Sequence, residues 1–551
     1  MEDTIHFYGE LYGHKRGSTN FRLSWCPILT ESGAERLIVG GSFQVIGNAL
    51  GGILWWTLAI LLSRPDIGIG PAGYGVYGVV VSFVSFLNLF TAGVFVAFSR
   101  ALQERRDLEG KLSIVWAFLI VSLISTVLAV LVGLLILYAM FDSGYIRNML
   151  MISLVAIPIL GMTHFLRGLL NGFYKYEILS GSAVMYAGGS LIFALFLLYC
   201  LDIRSMPINI YSVYLPLIQI FGSSICFLYL LVWSLVKTPI RLRGLSDPSI
   251  IDIRDALRRT LWCTLPLIIP LNAYGLLSYI FLSSYGVAKE YLGIMNVILG
   301  YTATMFLVAT FANPSVPEVG RAYENNDDLL MAKQVEGAIK YSMLLMGLLV
   351  VVYISASQPL LYVFHTEAYT AGKIPFIVGI ISTSAFAIEY VGMMIAIGMK
   401  RGRLCGVLAL LTFCAPLIIL SIALMLGLKI PSLSPEISQI TLPFLISILT
   451  TIPAVCYIFS IIKKTIGSFP THAVIKSVIA AVITILITQE LCPLVWPTID
   501  IVQLLVSIIT AGTTYLVLLY SLKYFDRRDR LLFRLLLDNF RALFSYGIRS
   551  E

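Results

Sequence analysis

The sequence predicts an all-α polytopic membrane protein of fourteen transmembrane helices, built as two parallel-repeat six-helix bundles plus two C-terminal helices. Three observations predict it: long uncharged apolar runs, a lopsided distribution of Lys and Arg over the connections, and short sequence matches recurring at a slowly drifting offset. Of 551 residues, 58% are hydrophobic and only 12% charged, with a mean hydropathy of +0.89. Ordinary globular domains carry about 25% charged residues, so roughly half the usual charge is missing.

In chain order, runs long enough to cross about 30 Å of hydrocarbon fall at 36–63, 72–99, 112–141, 146–170, 177–200 and 208–236. After a basic connection they resume at 259–283, 290–312, 339–363, 371–398, 404–427 and 438–462, and end with 470–490 and 500–522. The expected organisation is a cytoplasmic N-terminal extension (1–35), a first bundle (36–236), a cytoplasmic linker (237–257), a second bundle (258–463), two further helices (464–522) and a basic tail (523–551). Proline at 266 and 270 in span seven, and Gly40, Gly41, Gly47, Gly51 and Gly52 in span one, mark the helices expected to bend during function, or, for the glycines, to pack closely.

With the N-terminus inside, only Arg64, Arg147, Arg204, Lys289, Lys373 and Lys429 of the 38 basic residues lie in outer connections. This is the positive-inside pattern, and it places both termini in the cytoplasm and the protein in the cell membrane. The net charge of +8 then reflects topology and anionic lipid headgroups, with no nucleic acid partner expected. The first 35 residues lack the short apolar core of a removable signal. In 525–544, Leu532, Leu535, Leu536, Phe540, Leu543 and Phe544 share a face ringed by arginines, an interfacial helix on the inner leaflet.

Several chemistries are excluded. IGIGPAGYGVYG (67–78) contains a G-x-G-x-x-G frame, but an apolar span precedes it and no carboxylate lies between Asp66 and Glu104, so it reads as a tight turn between packed helices. No G-x-x-x-x-G-K-[ST] loop occurs, the eight cysteines form no C-x-x-C, and outer-loop acids stand singly. A transporter without cofactor is expected, not an enzyme.

YGVYG (74–78) and LGIMN (292–296) pair Gly75 with Gly293; FDSGY (141–145) and FHTEAY (364–369) pair Tyr145 with Tyr369; LNGFYK (170–175) and AIGMKR (396–401) pair Gly172 with Gly398. The offsets are 218, 224 and 226, and paired features lie on one side of the membrane, as in parallel repeats. Two such bundles without an energy domain describe an alternating-access transporter with its cavity between the halves.

The runs LAILLSRPDIGIGPAGYGVYGVVVSF (58–83), FLRGLLNGFYKYEI (165–178), FANPSVPEV (311–319) and LLYVFHTEAY (360–369) resemble the polysaccharide-export branch of the multidrug/oligosaccharidyl-lipid/polysaccharide (MOP) flippase superfamily, over about 36–463. Two features depart from its pattern: His365, where a small residue is usual, and the long N-terminal extension. The resemblance implies a MATE-like fold and flipping of a polyprenyl-diphosphate-linked oligosaccharide for polysaccharide biosynthesis, with membrane lipids and glycan-assembly enzymes as partners. A MATE-type cation-coupled exporter and a non-transport scaffold of glycan assembly are the rival expectations.

A polar cavity should appear as polar residues inside spans, since these are costly against lipid. Candidates are Gln44, Asn48, Asn88, His164, Arg167, Asn171, Gln219, Asn272, Asn296 and Glu389. Interpolating the repeat offset places His164 and Glu389 at equivalent depths. Arg167, helped by His164, is expected to hold the diphosphate through bidentate hydrogen bonds. Glu389 is expected either to pair with Arg167 in the empty cavity or to exchange a proton or sodium ion.

Overall fold

A computed structural model describes residues 33–104, 108–141, 144–173, 175–238, 250–267, 273–308, 319–320, 322–323, 325–467, 469–496 and 498–525. Side chains are described from Ile46 onward, except at 103–104, 108–112, 266–267 and 493. Residues 1–32 of the N-terminal extension, 526–551 of the basic tail and Asn272 lie outside the described residues, as does the side chain of Gln44.

The first half comprises α1 (Gly33–Ser63), α2 (Gly70–Glu104), α3 (Leu108–Met140), α4 (Tyr145–Ser153) with α5 (Ala156–Gly172), α6 (Tyr176–Tyr199) and α7 (Leu215–Lys237). The second comprises α8 (Ile250–Leu267), α9 (Ala273–Ser284), α10 (Lys289–Thr302), α11 (Asp328–Ser355), α12 (Ser357–His365), α13 (Lys373–Gly398), α14 (Gly402–Met425) and α15 (Pro435–Ile466), and α16 (Thr471–Val495) and α17 (Ile501–Ser521) follow. Among the described residues, thirteen segments are long and apolar enough to cross a membrane. In the remaining expected span, 259–283, the described residues are helical on both sides of 268–272, as α8 up to Leu267 and α9 from Ala273. Of the proline pair expected to bend this span, Pro270 lies outside the described residues.

Of the stretch 67–78 expected as a tight turn, only the part before Gly70 turns; residues 70–78 already belong to α2. Gly68 N–H closes on the Arg64 carbonyl and Ile69 N–H on the Leu62 carbonyl, and Gly70 opens α2 at φ +69°. Further along, the repeat shows itself in contacts. A Cβ on Gly75 would collide with the Lys289 carbonyl oxygen, and one on Gly293 with the carbonyl oxygen of Pro71. With the offset of 218, Pro71 is equivalent to Lys289 and Gly75 to Gly293, so the contact is reciprocal, as two-fold symmetry demands. Farther along the same pair of helices, Gly78 lies against Asn296, its own equivalent. Contacts therefore advance along both helices together: α2 and α10 run parallel, and the axis lies along them. Gly172 and Gly398, also paired by the repeat, each end their helix, α5 and α13.

These contacts lie at the end bearing the connections around 64–69 and 366–372, here called the charge-poor end; the opposite end is the basic end. One buried apolar core joins both halves and includes Phe83, Tyr279, Met295 and Tyr369. A second, with Phe98, Phe118 and Phe165, belongs to the first half near the basic end and reaches the second half through Ala256 of α8. Gly47 and Gly51 of α1 pack against Ser180 and Ala183 of α6, which is close packing, whereas nothing lies within 4 Å of a Cβ on Gly52. Gly75→Ala is accordingly expected to lower the thermal unfolding midpoint, at about 1–3 kcal/mol for overpacking against backbone. Gly52→Ala is expected to leave the midpoint unchanged or raise it. Fluorescence-detected unfolding in detergent distinguishes them, and equal midpoints would remove the packing role assigned to Gly75.

Helices α16 and α17 dock on α11 of the second half. A Cβ on Gly347 would overlap the Tyr515 hydroxyl; Ser477 donates to the Met343 carbonyl at 2.9 Å; Ser355 and Thr488 share a 2.5 Å hydrogen bond. Small residues and hydroxyl pairs of this kind supply helix association where lipid removes any hydrophobic drive.

Candidate functional site

Polar side chains inside an apolar bundle must find partners, because an unmade hydrogen bond there leaves the full desolvation penalty. The first half meets this demand with a network across four helices. On α5, His164, Arg167 and Asn171 share one face at helical spacing. Asn88 Oδ1, on α2, accepts from His164 Nε2 at 3.0 Å and from the Thr91 hydroxyl at 3.1 Å. Gln219 of α7 accepts from the Tyr186 hydroxyl of α6 and donates through Nε2 to the Tyr77 hydroxyl of α2 at 3.0 Å. Arg167 lies between these clusters, with Nη2 3.9 Å from the Cys226 sulfur, and exerts its charge on both His164 and Tyr186.

Two features of this network are chemically open. Arg167 has no ion pair with a described carboxylate, and its one hydrogen bond goes to a weak sulfur acceptor. His164 is buried, and its Nδ1 has no hydrogen-bond partner. Since Nε2 donates to Asn88, Nδ1 is the acceptor of a neutral imidazole. In that tautomer the free nitrogen suits a donor such as a ligand hydroxyl. Arg167, all donor, retains the fit to an anion.

Glu389 is wholly buried on α13, and neither carboxyl oxygen has a hydrogen-bond partner. It lies beside Cys405 and Thr412, two turns apart on α14. Both turn their polar atoms elsewhere, Cys405 to the Met393 carbonyl at 3.5 Å and Thr412 to the Leu408 carbonyl at 3.0 Å. The pairing of Glu389 with Arg167 is therefore not made in this structure, and each carries its charge problem within its own half.

The other candidates separate. Asn296 is buried between the halves and donates to the Tyr74 carbonyl at 3.4 Å, so it joins helices at the charge-poor end instead of lining a cavity. Asn48 is exposed on α1, and Asn171 is half-buried with a partner. Sequence reasoning missed Tyr77, Tyr186 and Cys226. The available signal was a tyrosine inside an apolar span, whose hydroxyl requires a partner.

At the charge-poor end, His365 is buried and bridges the halves. Its Nδ1 is 2.6 Å from the Ser63 hydroxyl of α1 and its Nε2 3.1 Å from the Tyr301 hydroxyl of α10. The Tyr369 hydroxyl donates to the Ser63 carbonyl at 3.1 Å, and Tyr279 donates to the carbonyls of Gly75 and Leu292 at 2.7 and 2.8 Å. Trp56 of α1 reaches across to Phe364 and Tyr301, at ring-centroid distances of 4.4 and 6.1 Å.

No protein-family model and no curated protein sequence matches the chain. Solved structures do match by fold. The lipid II flippase MurJ in an inward closed conformation aligns over 86% of this chain and 97% of its own, at 15% identity and a TM-score of 0.63. An inward-facing multidrug resistance MATE family transporter of the MOP superfamily aligns over 75% of this chain and 95% of its own, at 18% identity and a TM-score of 0.58. A MATE structure in complex with MaL6 covers 79% of this chain and 100% of its own, at 17% identity and a TM-score of 0.54. At these identities the likeness is one of fold alone.

Proposed function

We propose that this protein flips a polyprenyl-diphosphate-linked oligosaccharide from the inner to the outer leaflet by alternating access. The observation that carries this reading is Arg167, a cation inside the first half with no described carboxylate to neutralise it. Such a guanidinium suits a diphosphate bidentately. The bare acceptor at His164 Nδ1 beside it suits a sugar hydroxyl. The lipid tail would stay in the bilayer while the head group crosses in the cavity between the halves, with both termini on the cytoplasmic side.

A second reading, cation-coupled export of small molecules, is favoured by Glu389. A buried carboxyl without partners is costly as a bare anion, so it suits neutralisation by a proton, sodium ion or cationic substrate.

The test is reconstitution of the full chain in vesicles carrying a fluorescent polyprenyl-diphosphate oligosaccharide, with leaflet exposure read by a membrane-impermeant quencher. Protein-dependent movement of this lipid, without movement of cationic dyes, supports the flippase. Dye transport without lipid movement replaces it with the second reading.

A further inference from the structure

We propose that the charge-poor end is held shut by a proton-sensitive latch, in which the neutral imidazole of His365 ties α1 to α10 and its protonation releases the two halves. The inference rests on the alternating-access reading, because a latch matters only at an end that opens. Its geometry is independent of that reading.

Both ring nitrogens are committed: Nδ1 reaches across the interface between halves to Ser63 of α1, and Nε2 is held within the second half by Tyr301 of α10. The Ser63 carbonyl is held in turn by Tyr369. Around this core lie aromatic rings: Tyr301 at 5.7 Å and Tyr369 at 5.4 Å from the imidazole, then Phe376, Tyr353 and Trp56 against Tyr301. The imidazole is buried, and among the described residues no carboxylate pairs with it.

The groups facing His365 make that clear element by element. From the end of α1 comes Arg64, a like charge to an imidazolium, whose carboxylate partner Asp66 is engaged by both Nε and Nη2 at 2.9 Å. From α10, α11 and α2 come only the neutral tyrosines Tyr301, Tyr353 and Tyr74. The turn after His365 adds Tyr369 and an exposed Glu367; Lys373, opening α13, bonds Gln358; and α17 carries no charged residue. A protonated His365 would therefore be a buried cation beside a second cation, with only hydroxyl oxygens to receive it.

His365 lies in the connection between the spans Asp328–Ser355 and Glu367–Gly398. Burial, and secondarily Arg64, push its imidazole down to about 3 in the closed state. Opening to water returns it toward the ordinary value of about 6.5. A depressed pKa means the closed state is fully favoured above about 6.5 and loses up to about tenfold in population ratio per pH unit below it. Arg64 holds the Asp66 carboxyl below its usual range, so that pair stays ionised through the same window and does not imitate the switch.

The experiment places spin labels at Leu201→Cys and Leu428→Cys, both exposed in charge-poor connections of opposite halves. The full chain, with its native cysteines replaced by serine, is placed in lipid nanodiscs. Between pH 8 and pH 5 the wild-type histidine should give a second, longer label-to-label distance, whereas His365→Gln should hold the short distance at both. Ser63→Ala and Tyr301→Phe, which keep the histidine, should move the transition to higher pH. An unchanged distance across this range, a His365→Gln variant that still lengthens, or a transition indifferent to both hydroxyl deletions would each overturn the latch. The distances need no transported lipid: a pH-dependent distance in a protein that moves no lipid would leave the latch standing and remove the flippase reading.

Discussion

Replacing Arg167 with alanine is expected to abolish flipping of lipid-linked oligosaccharide while the protein remains folded. The guanidinium makes one weak contact, to Cys226, and no described ion pair, so its removal strands no buried anion. In the loaded cavity the same group would lose two charge-assisted hydrogen bonds, each worth about 1.5–3 kcal/mol. That corresponds to a loss of about a hundredfold or more in affinity for the head group. Arg167→Lys keeps the charge but not the planar fork, and should fall between. Initial flipping rates in vesicles, alongside unfolding midpoints, test both. Wild-type flipping by the alanine variant would end the assignment of Arg167 to the head group.

Glu389→Gln should impair turnover far more than binding. The substitution keeps the volume of a side chain that is wholly buried, and removes a carboxyl whose oxygens have no partners to strand. What it deletes is the capacity to take up and release a proton or sodium ion. Turnover should fall about 5–150-fold, the span of a typical coupling free energy of about 1–3 kcal/mol. Dependence on an imposed pH or sodium gradient should vanish with it, while equilibrium binding of the lipid-linked saccharide persists. A variant that keeps both its rate and its gradient dependence would leave Glu389 a structural residue.

Much of the architecture was legible because its determinants are local. Apolar runs located thirteen of the spans, and Gly75 with Gly293 marked where the repeats meet. Partnerships between helices were not legible. A helix apolar all round, such as α3 or α6, carries no stripe to fix its rotation, so nothing in the order of residues says that Tyr186 faces Gln219 or that Glu389 faces α14 and not Arg167. Asn296 shows the same limit: its amide looks the same in sequence whether it lines water or bonds the Tyr74 carbonyl. His365 stood out as an unusual residue, but its role depends on Ser63, 302 residues away.

The docking of α16 on α11 has a consequence for biosynthesis. The Ser477 hydroxyl that binds the Met343 carbonyl lies 134 residues downstream of it. At a translation rate of about 5–20 residues per second, that interval is roughly 7–27 s. Throughout it, the face of α11 around Gly347, shaped to admit the Tyr515 ring, is uncovered in the bilayer with nothing of its own chain to fill it. A small-residue face of that kind is a ready surface for another helix. The late arrival of the last two helices therefore sets a period in which the nascent protein is open to mispairing with neighbours at the insertion site.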